Sequence, residues 1–384
     1  MHDGQVNQSG PSVPDVRRAI AEQLDVFGPA AGGRRALGAA SLADARAYCR
    51  ALAFARRENF TVMSSLVPAE LRDDFAAVYA FCRWADDLGD EAVPTGHVCG
   101  AGAVAAPAMG EVREHRLALL SWWRNELEAA VAGRPRHAVM VALAETMRAR
   151  KLDAGPFHRL IDAFELDQRK SAYATWDDLV AYCALSANPV GEIVLGLGGV
   201  TRAAHPQLLT LSDAACTALQ ITNHLQDVRR DVLERGRAYL PADVTGVGAE
   251  EFPPLIAAAV EGDAAARARL SAAAWPVWQR TKDMYLRAAA LPRQMRGLAG
   301  DALASGPGGG AGKLAPVVWL LIAGGRATHD ELARGGLRGA WRRDGLSKAG
   351  AGALVLGTLM RRAWWSVLPT RRGTNGADAA GVTA

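Results

Sequence analysis

The chain of 384 residues has few aromatic side chains, few lysines, no paired cysteines and no long apolar run. Each shortage excludes something. Aromatic residues make up 6% against 50% apolar residues, and 77 residues are Ala. Apolar content built from Ala and Leu favours packed helices over strands, which prefer aromatic and β-branched side chains. The five cysteines (Cys49, Cys82, Cys99, Cys183, Cys216) are an odd, scattered set without a Cys-x-x-Cys pair. They argue against a disulfide scaffold and a zinc cluster, and fit a reducing cytosol. The longest apolar runs, 314–325 and 349–360, hold 12 residues each. That is short of the ~20 needed to cross a bilayer, so no membrane span is expected. The first 14 residues are polar and lack the apolar core of a signal peptide. Only five of the 44 basic residues are Lys. An Arg excess alone does not indicate nucleic acid, and no helix-turn-helix, zinc-finger or RNA-binding signature accompanies it.

What is present reads as a succession of helices. Residues 1–40 are rich in Gly, Pro and Ala and form a loose N-terminal extension. Ser41 is the N-cap of the first strongly periodic segment. A helix is expected from Pro68 to about Gly89, with Phe75, Val78, Tyr79, Cys82 and Ala85 on its inner face. The Gly/Ala-rich stretch 94–112 reads as a flexible insertion. Further helices are expected over 116–132, 138–150, after Gly155-Pro156, over 176–197 and over 212–234. No break marks a domain boundary. One all-α domain over 41–366 with a disordered tail at 367–384 is the simplest organisation. Gly196-Leu197-Gly198-Gly199 follows a helix and not a strand, so it ends that helix and cradles no dinucleotide. In 349–368, Arg361 and Arg362 stand beside Trp364 and Trp365, as in helices that rest on a membrane surface. A last helix docked on the core is the simpler reading. A cytoplasmic location is expected, and peripheral contact at the inner face of the cytoplasmic membrane stays open.

One feature occurs twice. Asp86 and Asp90 form Asp-x-x-x-Asp on one expected helix, and Asp227 and Asp231 do so on another. Residues four apart share a helical face, with Cβ atoms roughly 5–6 Å apart. Two carboxylates that close repel unless a cation lies between them. Mg²⁺ suits that place, because it takes carboxylate oxygens and keeps positions for water and phosphate oxygen. Asn223, four residues before Asp227, adds another oxygen to the face. Solvated charge clusters on a bundle are the plainer alternative, and one motif alone would be weak. Both motifs, however, continue apolar stripes. Two such helices facing each other would make an acidic wall in an apolar cavity. The ligand this implies has phosphate at one end and hydrocarbon at the other. His224, within the second motif, is expected as a packed or cavity-wall residue, not a metal ligand.

Five segments taken together resemble the squalene and phytoene synthases, enzymes that join two isoprenoid diphosphates head to head. They are Glu58-Asn59-Phe60; Tyr79-Ala80-Phe81-Cys82-Arg83 leading into Asp86; Asp162 to Asp167 with Tyr182-Cys183 and Ser186 to Gly191; Gln220 to Asp231 continuing into Gly236-Arg237-Ala238-Tyr239-Leu240-Pro241; and Gly324-Gly325-Arg326 with Arg342-Arg343 and Ser347-Lys348. The Asn188-Pro189-Val190-Gly191 run is most similar to the hopanoid-pathway branch, the hydroxysqualene synthases. The resemblance implies an isoprenoid-synthase-type helical bundle around a central apolar cavity. It implies about three Mg²⁺ ions on Asp86, Asp90, Asn223, Asp227 and Asp231, which neutralise a departing diphosphate. It places Arg83 and Gln220 on diphosphate oxygens, Asn59 and Phe60 at the substrate, and Tyr79 at the reaction centre. Arg342 or Arg343 would reach a diphosphate from the C-terminal side.

The substrate implied is presqualene diphosphate, converted to hydroxysqualene by ionisation, rearrangement and capture of water, a route without NADPH. Farnesyl diphosphate converted to presqualene diphosphate or squalene, and phytoene synthesis, stay open beside it. Enzymes upstream and downstream of such a step are the natural partners, and nucleic acid is not. A non-catalytic assembly factor of the same fold is the alternative of another class; the four intact Asp argue against it. Three departures from the family stand out: Ala172 where relatives carry Arg before Tyr173, Arg56-Arg57 ahead of Glu58, and His224 where Phe or Ile is usual. Lys170 lies two residues from the lost charge at 172.

Overall fold

The computed structural model describes residues 23–24, 28–29, 41–55, 66–92, 108–298, 310–338 and 341. Among them the chain is helical throughout, with no strand. The N-terminal elements are α1 (Leu42–Ala55), α2 (Arg72–Asp90), α3 (Met109–Val131), α4 (Ala138–Arg150) and α5 (Gly155–Asp167). Then come α6 (Trp176–Ser186), α7 (Asn188–Leu197), α8 (Pro206–Leu233) and the single turn α9 (Ala242–Thr245). The C-terminal elements are α10 (Phe252–Glu261), α11 (Ala264–Ala288), α12 (Leu291–Gly297) and α13 (Ala311–Arg334).

Local chemistry sets the ends of these helices. The Ser41 hydroxyl accepts from Asp44 N at 3.2 Å and caps α1. Pro68 is followed by a 3₁₀ turn, Ala69–Leu71, so α2 proper begins at Arg72. α3 starts at Met109, seven residues before the expected 116, because Glu111 reaches back to accept from Ala108 N at 3.2 Å. The last residues of the expected insertion 94–112 are therefore helical; residues 93–107 lie outside the described ones. The single helix expected over 176–197 is two. The backbone breaks at Ala187, ahead of Asn188-Pro189, where proline removes a donor and restricts what precedes it. The 176–197 stretch is apolar and long enough to cross a membrane, but half of it is buried inside the bundle. It is a pair of core helices. α8 begins at Pro206 and not at Ser212, with Pro206 in the first turn where its missing N–H costs nothing. Gly199, at φ +84°, ends the segment after α7, as the glycine pattern implies.

Two apolar cores form. The first is made by α1 to α5 and holds a cluster of stacked aromatic rings. Trp84 and Trp123 stack at 5.4 Å, Phe81 stacks on Trp123 at 5.7 Å, and Phe157 meets Phe81 edge-on at 5.2 Å. The second core is made by the later helices around Leu209, Ile221, Val277, Tyr285 and Leu314. Its axis is α8, which packs on α11, α7 and α13. The last turn of α2 comes from the first core and the last turn of α8 from the second. α5 lies at the seam, where Gln168 Nε2 donates to Gly89 O at 2.9 Å. The expected N-terminal extension and the C-terminal stretch 349–384 lie almost wholly outside the described residues.

Candidate active site

α2 presents Tyr79, Arg83, Asp86 and Asp90 along one face, at spacings of four, three and four. α8 presents Gln220, Asn223, Asp227 and Asp231 in the same way. Gln220 and Tyr79 are half-buried, Asn223 is exposed, and Asp231 is buried. Asn59, Phe60, Arg342 and Arg343 lie outside the described residues.

Both motifs sit in the last turn or two of their helices. The carbonyl end of a helix carries a partial negative charge, so acidic residues there are unfavourable. Asp86, Asp87 and Asp90 at the end of α2, and Asp227 and Asp231 at the end of α8, break that rule twice. Two negative helix ends and their carboxylates converge on one place.

Arginines compensate. Asp90 Oδ1 accepts from Arg237 Nη1 at 2.9 Å, and Asp90 Oδ2 lies 3.0 Å from Arg235 Nη1. The same Arg235 nitrogen lies 3.9 Å from Asp231 Oδ1. One guanidinium thus spans both motifs, although α2 and α8 are not packed along their lengths. Asp227 Oδ2 accepts from Arg230 Nη2 at 2.8 Å. Arg83 pairs with Asp87, lies 3.3 Å from Asp86 Oδ2 and donates to Glu91 at 3.1 Å. Arg116 donates to Ala92 O at 2.9 Å and also to Asp90 O, closing the end of α2.

The Asp86 side chain is 43% exposed, yet protein surrounds it on several sides. Loss of hydration and then the like charge of Asp90 push its carboxyl up to about 6. Behind Asp90 lies a half-buried polar group absent from the expected site. Asp167 accepts the hydroxyls of Tyr182 at 2.7 Å and Tyr239 at 3.0 Å. Burial raises its pKa, against the pull of Arg237 and of those two bonds. Tyr239 stacks on His224 at 3.9 Å, so His224 is a packed residue. The segment after α8 is pinned to the segment after α5 by Ala238 N donating to Ser171 O at 2.7 Å and by an isolated bridge between Ala172 and Ala238. Lys170 does not stand in for a charge at 172. It pairs with Asp178 at 3.1 Å and lies over the Tyr173 ring at 4.5 Å.

Sequence reasoning assigned no role to Arg235, Arg237 or Asp167. Arg235 carries a readable signal, four residues after Asp231. Arg237 and Asp167 meet their partners through the fold.

The donor set fits a hard divalent cation. It is all oxygen, and Asp231 Oδ1 is buried and accepts no hydrogen bond. Among the described residues no three candidate ligands already form a cage; Arg235 and Arg237 stand between them. A small pocket lined by His224, Val228, Asp231, Arg237, Tyr239 and Phe252 opens beside this cluster.

An all-α bundle with two Asp-x-x-x-Asp helix ends meeting at one arginine cluster is the architecture of the isoprenoid-synthase class. The profile of the squalene/phytoene synthases matches residues 55–343, and the chain belongs to that family. It is 34% identical over 189 residues to the hydroxysqualene synthase of Zymomonas mobilis subsp. mobilis, covering 49% of this chain and 56% of that protein. It is 33% identical over 207 residues to the hydroxysqualene synthase of Sinorhizobium fredii, covering 53% and 62%. The matches thus span less than two thirds of the length of these relatives. The crystal structure of squalene synthase HpnC from Alicyclobacillus acidocaldarius superposes with a TM-score of 0.59 at 33% identity, covering 77% of this chain and 95% of that one.

Proposed function

We propose that the chain is a Mg²⁺-dependent prenyltransferase that converts presqualene diphosphate to hydroxysqualene with loss of diphosphate. The observation that carries this reading is the convergence of Asp90 and Asp231, from the negative ends of two helices, on one guanidinium nitrogen. Such a concentration of carboxylates suits a site that gathers cations around a diphosphate. The similarity to hydroxysqualene synthases supports the choice of substrate within the family.

Asp86, Asp90, Asn223, Asp227 and Asp231 would hold about three ions. Bound Mg²⁺ neutralises diphosphate and makes it a competent leaving group. Arg83 and Gln220 would orient diphosphate oxygens, and Tyr79 would line the reaction centre with an aromatic face that favours the cyclopropylcarbinyl cation. Asn59 and Phe60 would contact the substrate, and Arg342 or Arg343 the diphosphate. The reaction consumes one water and gives alcohol, diphosphate and a proton, so no NADPH enters.

The test is parallel incubation with presqualene, farnesyl and geranylgeranyl diphosphates, each with Mg²⁺ and with EDTA. Hydroxysqualene and diphosphate should form from presqualene diphosphate, only with Mg²⁺. Product from farnesyl or geranylgeranyl diphosphate alone would reassign the step within the family. Release of neither alcohol nor diphosphate from any of the three would sink the enzyme reading.

A further inference from the structure

We propose that Arg235 is a placeholder cation: it holds the two Asp motifs together in the metal-free protein and is displaced from them when Mg²⁺ binds. The inference rests on the Mg²⁺ reading above and adds a positioning residue to it.

The two arginines after α8 are built differently. Arg237 is buried, its side chain 9% exposed, and it is enclosed by Asp90, Asp167 and Tyr239. It is part of the permanent frame. Arg235 is 38% exposed and touches the site only with its tip. Gly236, at φ +66°, turns the chain between them so that both reach Asp90.

The distances of Arg235 are those of a compromise. Its Nη1 is 3.0 Å from Asp90 Oδ2 but 3.9 Å from Asp231 Oδ1, and the latter accepts no hydrogen bond. The guanidinium makes its short contact with Asp90 and only a long one with Asp231, whose Oδ1 also lies 3.8 Å from Arg230 Nε. A small divalent ion carries twice the charge and takes oxygens at about 2.0–2.1 Å. Bound at either carboxylate, it would compete with Arg235 for those oxygens. Arg237, on the other oxygen of Asp90, need not move. The cost of bringing like charges together is thus met by Arg235 before the metal arrives. Part of the metal's binding energy goes into displacing it.

Calorimetric titration of the full chain with MgCl₂, alone and with inorganic diphosphate present, tests this. Arg235→Gln should bind Mg²⁺ about two- to fivefold more tightly than wild type, the range of a half-exposed ion pair removed from competition. Arg235→Lys should stay near wild type. Arg229→Gln, which removes the same charge from an exposed position nearby, should not change the affinity. Thermal melting supplies a second readout. Arg235→Gln should melt below wild type in EDTA, and saturating Mg²⁺ should close the gap. A merely structural ion pair would leave the gap open in Mg²⁺. Unchanged or weaker Mg²⁺ binding in Arg235→Gln would overturn the proposal, as would an equal gain in Arg229→Gln. If neither wild type nor any variant binds Mg²⁺ even with inorganic diphosphate present, the metal reading itself has failed.

Discussion

The carboxylate of Asp86 sits one turn before Asp90, at the negative end of α2, with that second carboxylate beside it. Its folded pKa of about 6 lies above the usual carboxylate value of 3.8. The sign follows directly. Between those values the folded chain binds more protons than the unfolded one, so stability falls as pH rises. The penalty is absent below about pH 4 and fully present above the folded pKa of about 6. Asp86→Asn should therefore stabilise the metal-free protein at pH 7, by about 1 kcal/mol after allowance for a carboxylate that is well exposed to solvent. The same variant should lose ~10²-fold or more of its activity, a typical loss when one stabilising group is removed from a charged reaction centre. Urea unfolding in EDTA and turnover with Mg²⁺ read the two effects. An Asn variant that is less stable and fully active would show that Asp86 serves the fold alone. The four motif Asp were legible because spacing of four is read without knowing the fold. Asp167 was not, since its partners Tyr182 and Tyr239 lie 15 and 72 residues away. Arg235 was legible in principle from its distance of four to Asp231, but only the fold shows that it also reaches Asp90.

At the scale of elements, the helices themselves followed from Ala-rich apolar periodicity, while their ends did not. Starts depended on side chains that cap or on prolines that suit a first turn, as at Ala108–Glu111 and Pro206. The break at Ala187 was hidden because both halves are apolar, and only Pro189 marked it. Close approaches between helices are a second feature that pattern does not reveal. Gly325 on α13 is one. A Cβ there would come 2.2 Å from Leu219 Cδ2 on α8 and 2.6 Å from the Tyr285 hydroxyl on α11. That hydroxyl is fixed at 3.0 Å from Thr222 Oγ1, so it has little freedom to retreat. Gly325→Ala should push α13 away from the pair it covers and cost about 1–3 kcal/mol, the usual range for overpacking. Gly324, one residue earlier, has open space around the same position, so Gly324→Ala should be tolerated. Comparing the melting temperatures of the two single variants isolates the close approach from the loss of glycine in a helix. Equal effects at 324 and 325 would mean that the packing of α13 on α8 and α11 is looser than the distances indicate.

At the scale of the whole molecule, each of the two cores holds a buried histidine whose pKa burial lowers, His137 in the first and His329 in the second. His137 meets the stacked Trp84 and Trp123 edge-on, at 4.7 and 4.9 Å, and its Nδ1 accepts from Val139 N. Burial pushes its pKa down to about 3. His329 stacks on Trp278 at 4.9 Å in the second core, and burial pushes its pKa down to about 4 in spite of its bond to the Trp278 carbonyl. The unfolded chain takes up these protons near pH 6.5 and the folded chain does not. Stability from both groups is full above 6.5 and is lost as pH falls toward the folded values. Each proton withheld contributes about 1.4 kcal/mol per pH unit below 6.5, so the loss from pH 7 to 5.5 should be about 2–3 kcal/mol for the pair. Asp86 contributes in the opposite sense over the same window, which makes an Asp86→Asn background the cleaner place to look. In that background, urea unfolding in EDTA should show the full slope. Replacing His137 by Phe, which keeps the aromatic packing, should remove about half of it. His329 would supply the rest from the other core, reached through α8 and its Thr222 contact. A slope that survives the His137 change intact would assign the acid sensitivity to the second core alone.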